Sequence, residues 1–401
     1  MLRGDLSMKI SIVVPTFNEG NNPVVVAETL IKVLHPLEFE LIFVDDSTSK
    51  ESVDSLEHLC EEFSWVRYEH REHERSLGTA VVRGFELARG ELIAVMDSDM
   101  QHPPELLKAM IAAAEIGCDI VIPSRFVPGG DDGGLSPSRK LISWVARVIG
   151  QATLKRVRSV TDPTSGFFLL RRSVVENVRL RPIGWKVLIE ILVHGNYARI
   201  VEIPYRFQPR IAGSSNMSLR EQWNYLKHIF KLIVSSSEDR RKYVFAAVGI
   251  SGVLVNMLVY VGLVKLHMDF WQAGVLAGSV AMVSNFVLND RLTWHDSRSA
   301  PGLKRFGKYV ATSLTGIGID AMVLSMLVYG MHVDYFIANG AGIFVAMIWN
   351  FYINNVWTWK TEYREIEVAL SCTSSSADSE SLRAIRSRRS ASTDRKWVVE
   401  E

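Results

Sequence analysis

Leu92-Ile93-Ala94-Val95-Met96-Asp97-Ser98-Asp99-Met100-Gln101-His102-Pro103-Pro104 runs from five apolar residues straight into two carboxylates, an amide and a proline pair. A short apolar run that stops at polar residues reads as a buried strand of a parallel sheet, whose carboxyl edge is where doubly wound folds bind ligands. Two carboxylates one residue apart at such an edge form a hard-oxygen site suited to Mg²⁺ or Mn²⁺ bridging a diphosphate, although a turn-forming pair has the same composition.

The same pattern recurs on either side. β-branched runs are expected as strands at 10–15, 41–45, 65–69, 92–97, 120–124, 166–170 and 200–204, with helical stretches between them at 76–89 and 104–116. This alternation predicts an α/β, Rossmann-like, mostly parallel sheet. The first strand delivers Pro15-Thr16-Phe17-Asn18-Glu19 and the second Asp45-Asp46-Ser47, so polar groups gather at one edge. Asn18, Asp46 and Ser47 also suit a helix N-cap, and both roles stay open.

The second half is different in kind. After Arg240-Arg241-Lys242, apolar stretches at 243–266, 271–288, 309–331 and 335–352 are each long enough, at ~1.5 Å rise per residue, to cross a hydrocarbon core roughly 30 Å thick. An all-α transmembrane unit of four helices is expected. The connection holding Arg291, Arg298, Lys304, Arg305 and Lys308 is the basic one, so the positive-inside bias places both ends of the unit in the cytoplasm. The unit also repeats itself: Asn285-Phe286, Asn289 and Thr293-Trp294 recur as Asn350-Phe351, Asn354 and Thr358-Trp359. Such a duplicated hairpin serves as an anchor with its asparagines as interhelical glue, or as a lipid or sugar pathway.

Ahead of these spans, 217–236 places Trp223, Leu226, Phe230 and Ile233 at helical spacing among charged residues, as an interfacial amphipathic helix or a core-packing one. The expected division is therefore 1–215 for the catalytic domain, 216–240 for the amphipathic helix and linker, 241–361 for the membrane unit, and 362–401 for a disordered Ser- and Arg-rich tail. Net charge is +1, which excludes nucleic-acid binding by bulk basicity. Cys60, Cys118 and Cys372 have no paired spacing, which excludes a disulfide framework. No apolar run precedes the first strand, so the front domain is expected to stay in the cytoplasm.

Taken in order, Pro15–Glu19, Asp45-Asp46-Ser47, Asp97 to Glu105 and Asp162-Pro163-Thr164-Ser165-Gly166-Phe167 resemble glycosyltransferase family 2, in its dolichol-phosphate mannose synthase branch, and the four-helix unit resembles GtrA-like membrane domains. The resemblance implies a GT-A fold and inverting, metal-dependent transfer of a hexosyl group, best matched by mannose from GDP-mannose, to dolichyl or polyprenyl phosphate at the cytoplasmic membrane face. It implies Pro15, Phe17, Glu19, Asp45, Asp97, Gln101 and Arg210 for the nucleotide and donor, with Asp97, Asp99 and Arg210 catalytic, and Asp99 and Gln101 for Mg²⁺ or Mn²⁺. Arg125, Arg139 and Ser143 match acceptor-phosphate positions, and guanidinium forks suit an oxyanion physically. A solvated basic helix face with Lys140 and Arg147 is the other reading of that stretch.

The sequence departs from the family pattern at Asn216, where a lysine usually follows the loop Gly213-Ser214-Ser215. No general base is expected, because a phosphate monoester is already anionic near neutral pH. Alternatives are a UDP-sugar (glucose-type) polyprenyl-phosphate glycosyltransferase, or a lipid-linked-sugar transporter with a nucleotide-sensing domain. A processive polysaccharide synthase is excluded, since no Gln-x-x-Arg-Trp motif is present.

Overall fold

A computed structural model describes residues 10–73, 76–134, 137–207, 219–297, 300–360 and 367–370. The chain divides into two compact units, 1–233 with 365–401, and 234–364.

The first unit is built on strands β1 (Ile10–Thr16), β2 (Phe39–Asp45), β3 (Val66–His70), β4 (Leu92–Val95), β5 (Ile120–Ser124), β6 (Phe168–Arg171), β7 (Arg199–Pro204) and β8 (Glu367–Leu370), in the sheet order β3-β2-β1-β4-β6-β5-β7-β8. Every described pairing is parallel except those of β6, which runs antiparallel to β4 and β5. The helices are α1 (Asn22–Leu34), α2 (Lys50–Glu62), α3 (Leu77–Leu87), α4 (Leu106–Glu115), α5 (Pro137–Thr153), α6 (Arg172–Val175), α7 (Val187–His194) and α8 (Leu219–Ser235).

Strands β1, β2 and β4 are buried at every residue, as a sheet covered on both faces requires. Val13, Ile42, Val44, Ile93 and Val95 pack on α3 and α7, whereas Ile12, Leu41, Phe43, Ala94 and Met96 pack on α1, α2 and α4. That alternation decides which polar residue beyond each strand faces which way.

Two elements bear on the expected division of the chain. The stretch after residue 362, read as disordered, contributes β8, which adds in parallel to β7. Its Glu-Val-Ala-Leu tetrad satisfies backbone groups that the edge of β7 otherwise leaves open. Secondly, α8 is no mere linker. Tyr225, Ile229 and Leu232 are buried in the first unit's core, and the Tyr225 hydroxyl donates to the Ala146 carbonyl at 2.6 Å. His228 Nε2 lies 3.1 Å from Glu190 Oε2, with both side chains buried. The opposite face leaves Trp223 60% and Phe230 68% exposed, and α5 likewise exposes Leu141 and Trp144. The helix thus carries two apolar faces, one packed and one open.

The second unit holds α9 (Ser237–Lys265), α10 (Phe270–Leu288), α11 (Gly302–Ser325) and α12 (Tyr335–Ile353), the last three continuing into π-helical turns. Among the described residues, four helices are long and apolar enough to cross a membrane. Its sequence repeat has a physical purpose. Trp294 and Trp359, sixty-five residues apart and both fully buried, stack with ring centroids 4.3 Å apart and planes 7° from parallel. Each indole then reaches into the other repeat: Trp294 Nε1 donates to Asn355 Oδ1 at 3.1 Å, and Trp359 Nε1 to Asp290 Oδ1 at 2.9 Å. Asn289 and Asn354 accept from Thr293 and Thr358 one turn on, and Gly252 and Gly316 leave room for Asn285 and Asn350. The bonds of Asn289 and Asn354 stay within their own helical turns, whereas the two indole bonds to Asn355 and Asp290 tie one repeat to the other.

Candidate active site

Three loops converge at the carboxyl edge of β1, β2 and β4. Asn18, at φ 55°, accepts the backbone N–H groups of Thr48 and Ser49 through Oδ1, both at 2.9 Å, while its own N–H donates to Ser47 Oγ at 2.8 Å. Asparagine tolerates that left-handed backbone, and the bonds weld the first loop to the second. Phe17 is held beside this weld with its ring 52% exposed, whereas Pro15 is buried within β1. Glu19 accepts from Asn22 Nδ2 at 2.8 Å.

Asp45 does not line an open pocket. It is fully buried; Oδ1 accepts from Thr16 Oγ1 at 3.0 Å and Ser47 Oγ at 2.5 Å, and Oδ2 faces His70 Nδ1 at 2.7 Å. Thr16, Asp45 and His70 are register partners across β1, β2 and β3, so their side chains share one face. Asp45 organises the loop from inside. Its neighbour Asp46 points to the other face, where Arg71 donates to both of its oxygens at 2.8 and 2.6 Å.

Beyond β4, Asp97 is partly exposed and Asp99 is buried. Met100 sits at φ 57°, an uncommon backbone for a residue with a side chain, and Gln101 N donates to Asp99 Oδ1 at 3.1 Å. This tight turn brings Asp99 and Gln101 together. A side chain at Gly166 would place its Cβ 3.2 Å from Asp97 Oδ2, so the glycine keeps the space over that carboxylate clear. Among the described residues no group of three or more His, Cys, Asp and Glu side chains converges to hold a metal alone. One carboxylate and one amide oxygen nevertheless fit Mg²⁺ or Mn²⁺, which commonly take one or two protein ligands and complete their shell with substrate phosphates.

The cationic half of the site comes from β5. Arg125 donates from Nε and Nη2 to the two oxygens of fully buried Asp162, at 2.8 and 3.1 Å. Asp162 is in turn held by its backbone N–H on Glu202, which also accepts the N–H and hydroxyl of Thr161. Burial pushes the Glu202 carboxyl above its ordinary range, with those donors opposing the shift. The bidentate grip fixes the plane of the Arg125 guanidinium and leaves Nη1 for an anion.

Of the residues expected at the acceptor phosphate, Arg139 is exposed and Ser143 part-buried on α5, four residues apart and hence on one face. Arg147 extends that stripe, its guanidinium 4.4 Å from the Phe126 ring centre, with Arg125 at 5.2 Å from the same ring. The structure thus assembles Arg125 and Arg147 around Phe126. Arg147 was readable only as part of a basic helix face, because the ring that aims it lies in a different loop.

Lys186 was missed entirely. It precedes the mostly apolar, buried α7 and donates to the Thr164 carbonyl at 3.0 Å. Desolvation, then Arg125, push its amine below the usual lysine range, against the opposing pull of Asp162 and Asp97. The sequence signal was slight: a lone lysine entering a buried helix. Arg210 and Asn216 lie outside the described residues.

Among the described residues, the two carboxylates that follow Arg125 in the chain are both engaged. Asp131 is engaged by Arg206 at 3.0 Å and by Gly133 N, and Asp132 by Lys140 at 2.9 Å and Gly134 N. The Lys140 ammonium holds the Asp132 carboxyl below the usual range.

Residues 11–179 match glycosyl transferase family 2, and residues 244–359 match the GtrA/DPMS transmembrane domain. A dolichol-phosphate mannosyltransferase of Pyrococcus furiosus is 37% identical over 355 residues, covering 88% of this chain and 100% of its own. One from Saccharomyces cerevisiae is 32% identical over 241 residues, covering 57% of this chain and 88% of its own. Among solved structures, glucosyl-3-phosphoglycerate synthase from Mycobacterium tuberculosis, in complex with Mn²⁺, UDP-glucose and glycerol 3-phosphate, matches with a TM-score of 0.44 at 19% identity, over 57% of this chain and 80% of its own.

Proposed function

Because this chain belongs to the dolichol-phosphate mannosyltransferase family, a glycosyltransferase of GT-A type joined to a four-helix membrane unit, we propose that it transfers mannose from GDP-mannose to a polyprenyl phosphate with inversion. The observation that carries this reading is the meeting, at one sheet edge, of the Asp97/Asp99/Gln101 turn with the Arg125 guanidinium and Lys186 ammonium. An acidic turn suits a metal-bridged diphosphate, and fixed cations suit a second anion brought against it.

Two anions repel, and holding them in line is the main physical task. Arg125, Arg139 and Ser143, with Arg147 beside them, are assigned to the acceptor phosphate. An acceptor oxygen attacks the anomeric carbon as the bond from that carbon to the diphosphate oxygen breaks, and the nucleoside diphosphate departs with the electron pair. Asp97 faces the donor sugar, and Lys186 with Arg210 offsets charge on the leaving group. A divalent cation on Asp99 and Gln101 supplies further neutralisation of the diphosphate when bound. No base is required, since the nucleophile is already an anion.

The open apolar faces of α5 and α8, with Trp144, Trp223 and Phe230 outermost, are assigned to the lipid surface that delivers the acceptor. Arg291, Lys304, Arg305 and Lys308 between the two hairpins support a cytoplasmic placement of the catalytic unit and both termini.

The test is incubation of purified protein with polyprenyl phosphate and a panel of labelled GDP- and UDP-sugars. Labelled mannosyl lipid from GDP-mannose alone is expected. Transfer only from UDP-glucose replaces the donor assignment, and no transfer from any sugar nucleotide refutes it.

A further inference from the structure

His102, the residue after the acidic turn, is buried although it is ionisable. It sits in an aromatic nest, with ring centres 5.1 Å from Phe167, 5.8 Å from Tyr205 and 5.6 Å from Phe207. Packing alone accounts for an aromatic ring there, but not for an imidazole. Its two nitrogens have separate partners: Nδ1 lies 3.3 Å from the Tyr205 hydroxyl and Nε2 lies 3.6 Å from Asp97 Oδ2.

The partners decide the tautomer. A carboxylate beside Nε2 repels a lone pair there and attracts a proton, so Nε2 carries the hydrogen. Nδ1 is then the acceptor, and Tyr205 must donate. Burial raises the Tyr205 phenol well above its ordinary range, so the hydroxyl keeps the proton it donates. The order of donation therefore runs from Tyr205 through His102 towards Asp97, each group setting the next.

We propose that His102 is a positioning residue for the transfer reaction: oriented by Tyr205, it presents Nε2–H to Asp97 Oδ2 and holds that carboxylate in the rotamer that meets the donor sugar. This rests on the assignment of Asp97 to the donor. The present 3.6 Å separation is longer than a hydrogen bond and shortens to one with a movement of ~0.7 Å, the tightening expected when substrate fills a site. Gly166 borders the same carboxylate, where a Cβ would stand 3.2 Å from Oδ2 and 3.6 Å from Oδ1, so the glycine leaves Asp97 free space to move. Without Nε2–H, that free space becomes a liability, because Asp97 has a second place to go.

Three variants separate this role from packing. His102→Phe keeps a ring in the nest and removes Nε2–H. His102→Gln loses the ring and keeps an N–H at about the same reach. Tyr205→Phe leaves the imidazole and frees its tautomer. In the full chain, His102→Phe is expected to raise the KM for the sugar nucleotide about tenfold, the loss of one charge-assisted hydrogen bond, with the KM for lipid phosphate unchanged. His102→Gln is expected to recover most of that loss, and Tyr205→Phe to fall between.

Calorimetric binding of GDP-mannose in EDTA, or of UDP-glucose if the parent uses it, is expected to show the same order without any metal or turnover. In an Asp97→Asn background, His102→Phe is expected to add little, since the carboxylate it positions is gone. A glutamine variant no better than phenylalanine, or equal effects on both substrates, assigns His102 to packing and overturns the proposal. If His102→Phe fails to fold, Tyr205→Phe with parental donor affinity overturns it equally. A parent that transfers no sugar refutes the donor assignment instead, whereas an active parent with indifferent variants refutes only His102.

Discussion

Replacing Asp162 by alanine tests how far the site depends on one buried ion pair. In the native chain Arg125 is only 12% exposed at its side chain and Asp162 not at all, and two of the guanidinium's donors end on that carboxylate. Asp162→Ala strands the charge in a place water scarcely reaches, a change that costs about 3–5 kcal/mol in buried pairs. For a unit of this size each kcal/mol lowers Tm by about 2–4 °C, so the catalytic unit should melt roughly 6–20 °C lower. The backbone N–H bonds from Thr161 and Asp162 to Glu202 survive the substitution, so the loss is that of the pair and not of the loop.

Far-UV circular dichroism melts of detergent-purified parent, Asp162→Ala and the double variant Arg125→Met/Asp162→Leu make the assay. The apolar pair should recover most of the stability, because no charge is left unpaired, yet transfer no sugar. A single variant melting within 2 °C of the parent, roughly the smallest shift 1 kcal/mol produces, refutes the claim that Arg125 is held by desolvated pairing. A double variant that still transfers at the parental rate refutes the role of Arg125 in the site.

Asp99→Ala should abolish transfer, as should EDTA with the parent, Mn²⁺ or Mg²⁺ restoring the parent only; metal-free turnover at full rate contradicts this assignment. Arg139→Ala should raise KM for lipid phosphate by at least tenfold while KM for the sugar nucleotide stays near parental, and an equal rise in both returns Arg139 to a solvated face. Lys186, depressed in the folded chain, makes folding less favourable while it must be charged; between its lowered value and 10.5 the unfolded chain binds more protons, so stability should rise with pH across that window. Lys186→Met should flatten that rise and weaken nucleotide-sugar binding, as measured by melts at stepped pH and by calorimetry. In the membrane unit, Trp359→Ala should destabilise far more than Trp271→Ala in detergent melts, because Trp359 is buried against Trp294 and bonded to Asp290 whereas Trp271 is 69% exposed; equal melts would deny the stack a structural role.

The residues alone determined what is periodic or local. Seven strands of the catalytic sheet lie within about three residues of where alternating apolar runs place them, and the four membrane helices where long apolar stretches do, since burial on two faces or in lipid constrains every residue in the element. The acidic turn was legible for the same reason, its two carboxylates being neighbours in the chain. The tertiary structure decided whatever depends on facing direction or on partners far apart. Asp45 and Asp46 are adjacent and chemically identical, yet strand alternation buries the first on Thr16 and His70 and turns the second to Arg71. Arg125 meets Asp162, Arg147 meets Phe126, Lys186 meets Thr164, and His102 meets Tyr205 and Asp97 only after the sheet has closed, so no spacing records them. Sequence distance carries no information about which loops share one edge of a sheet; strand order does.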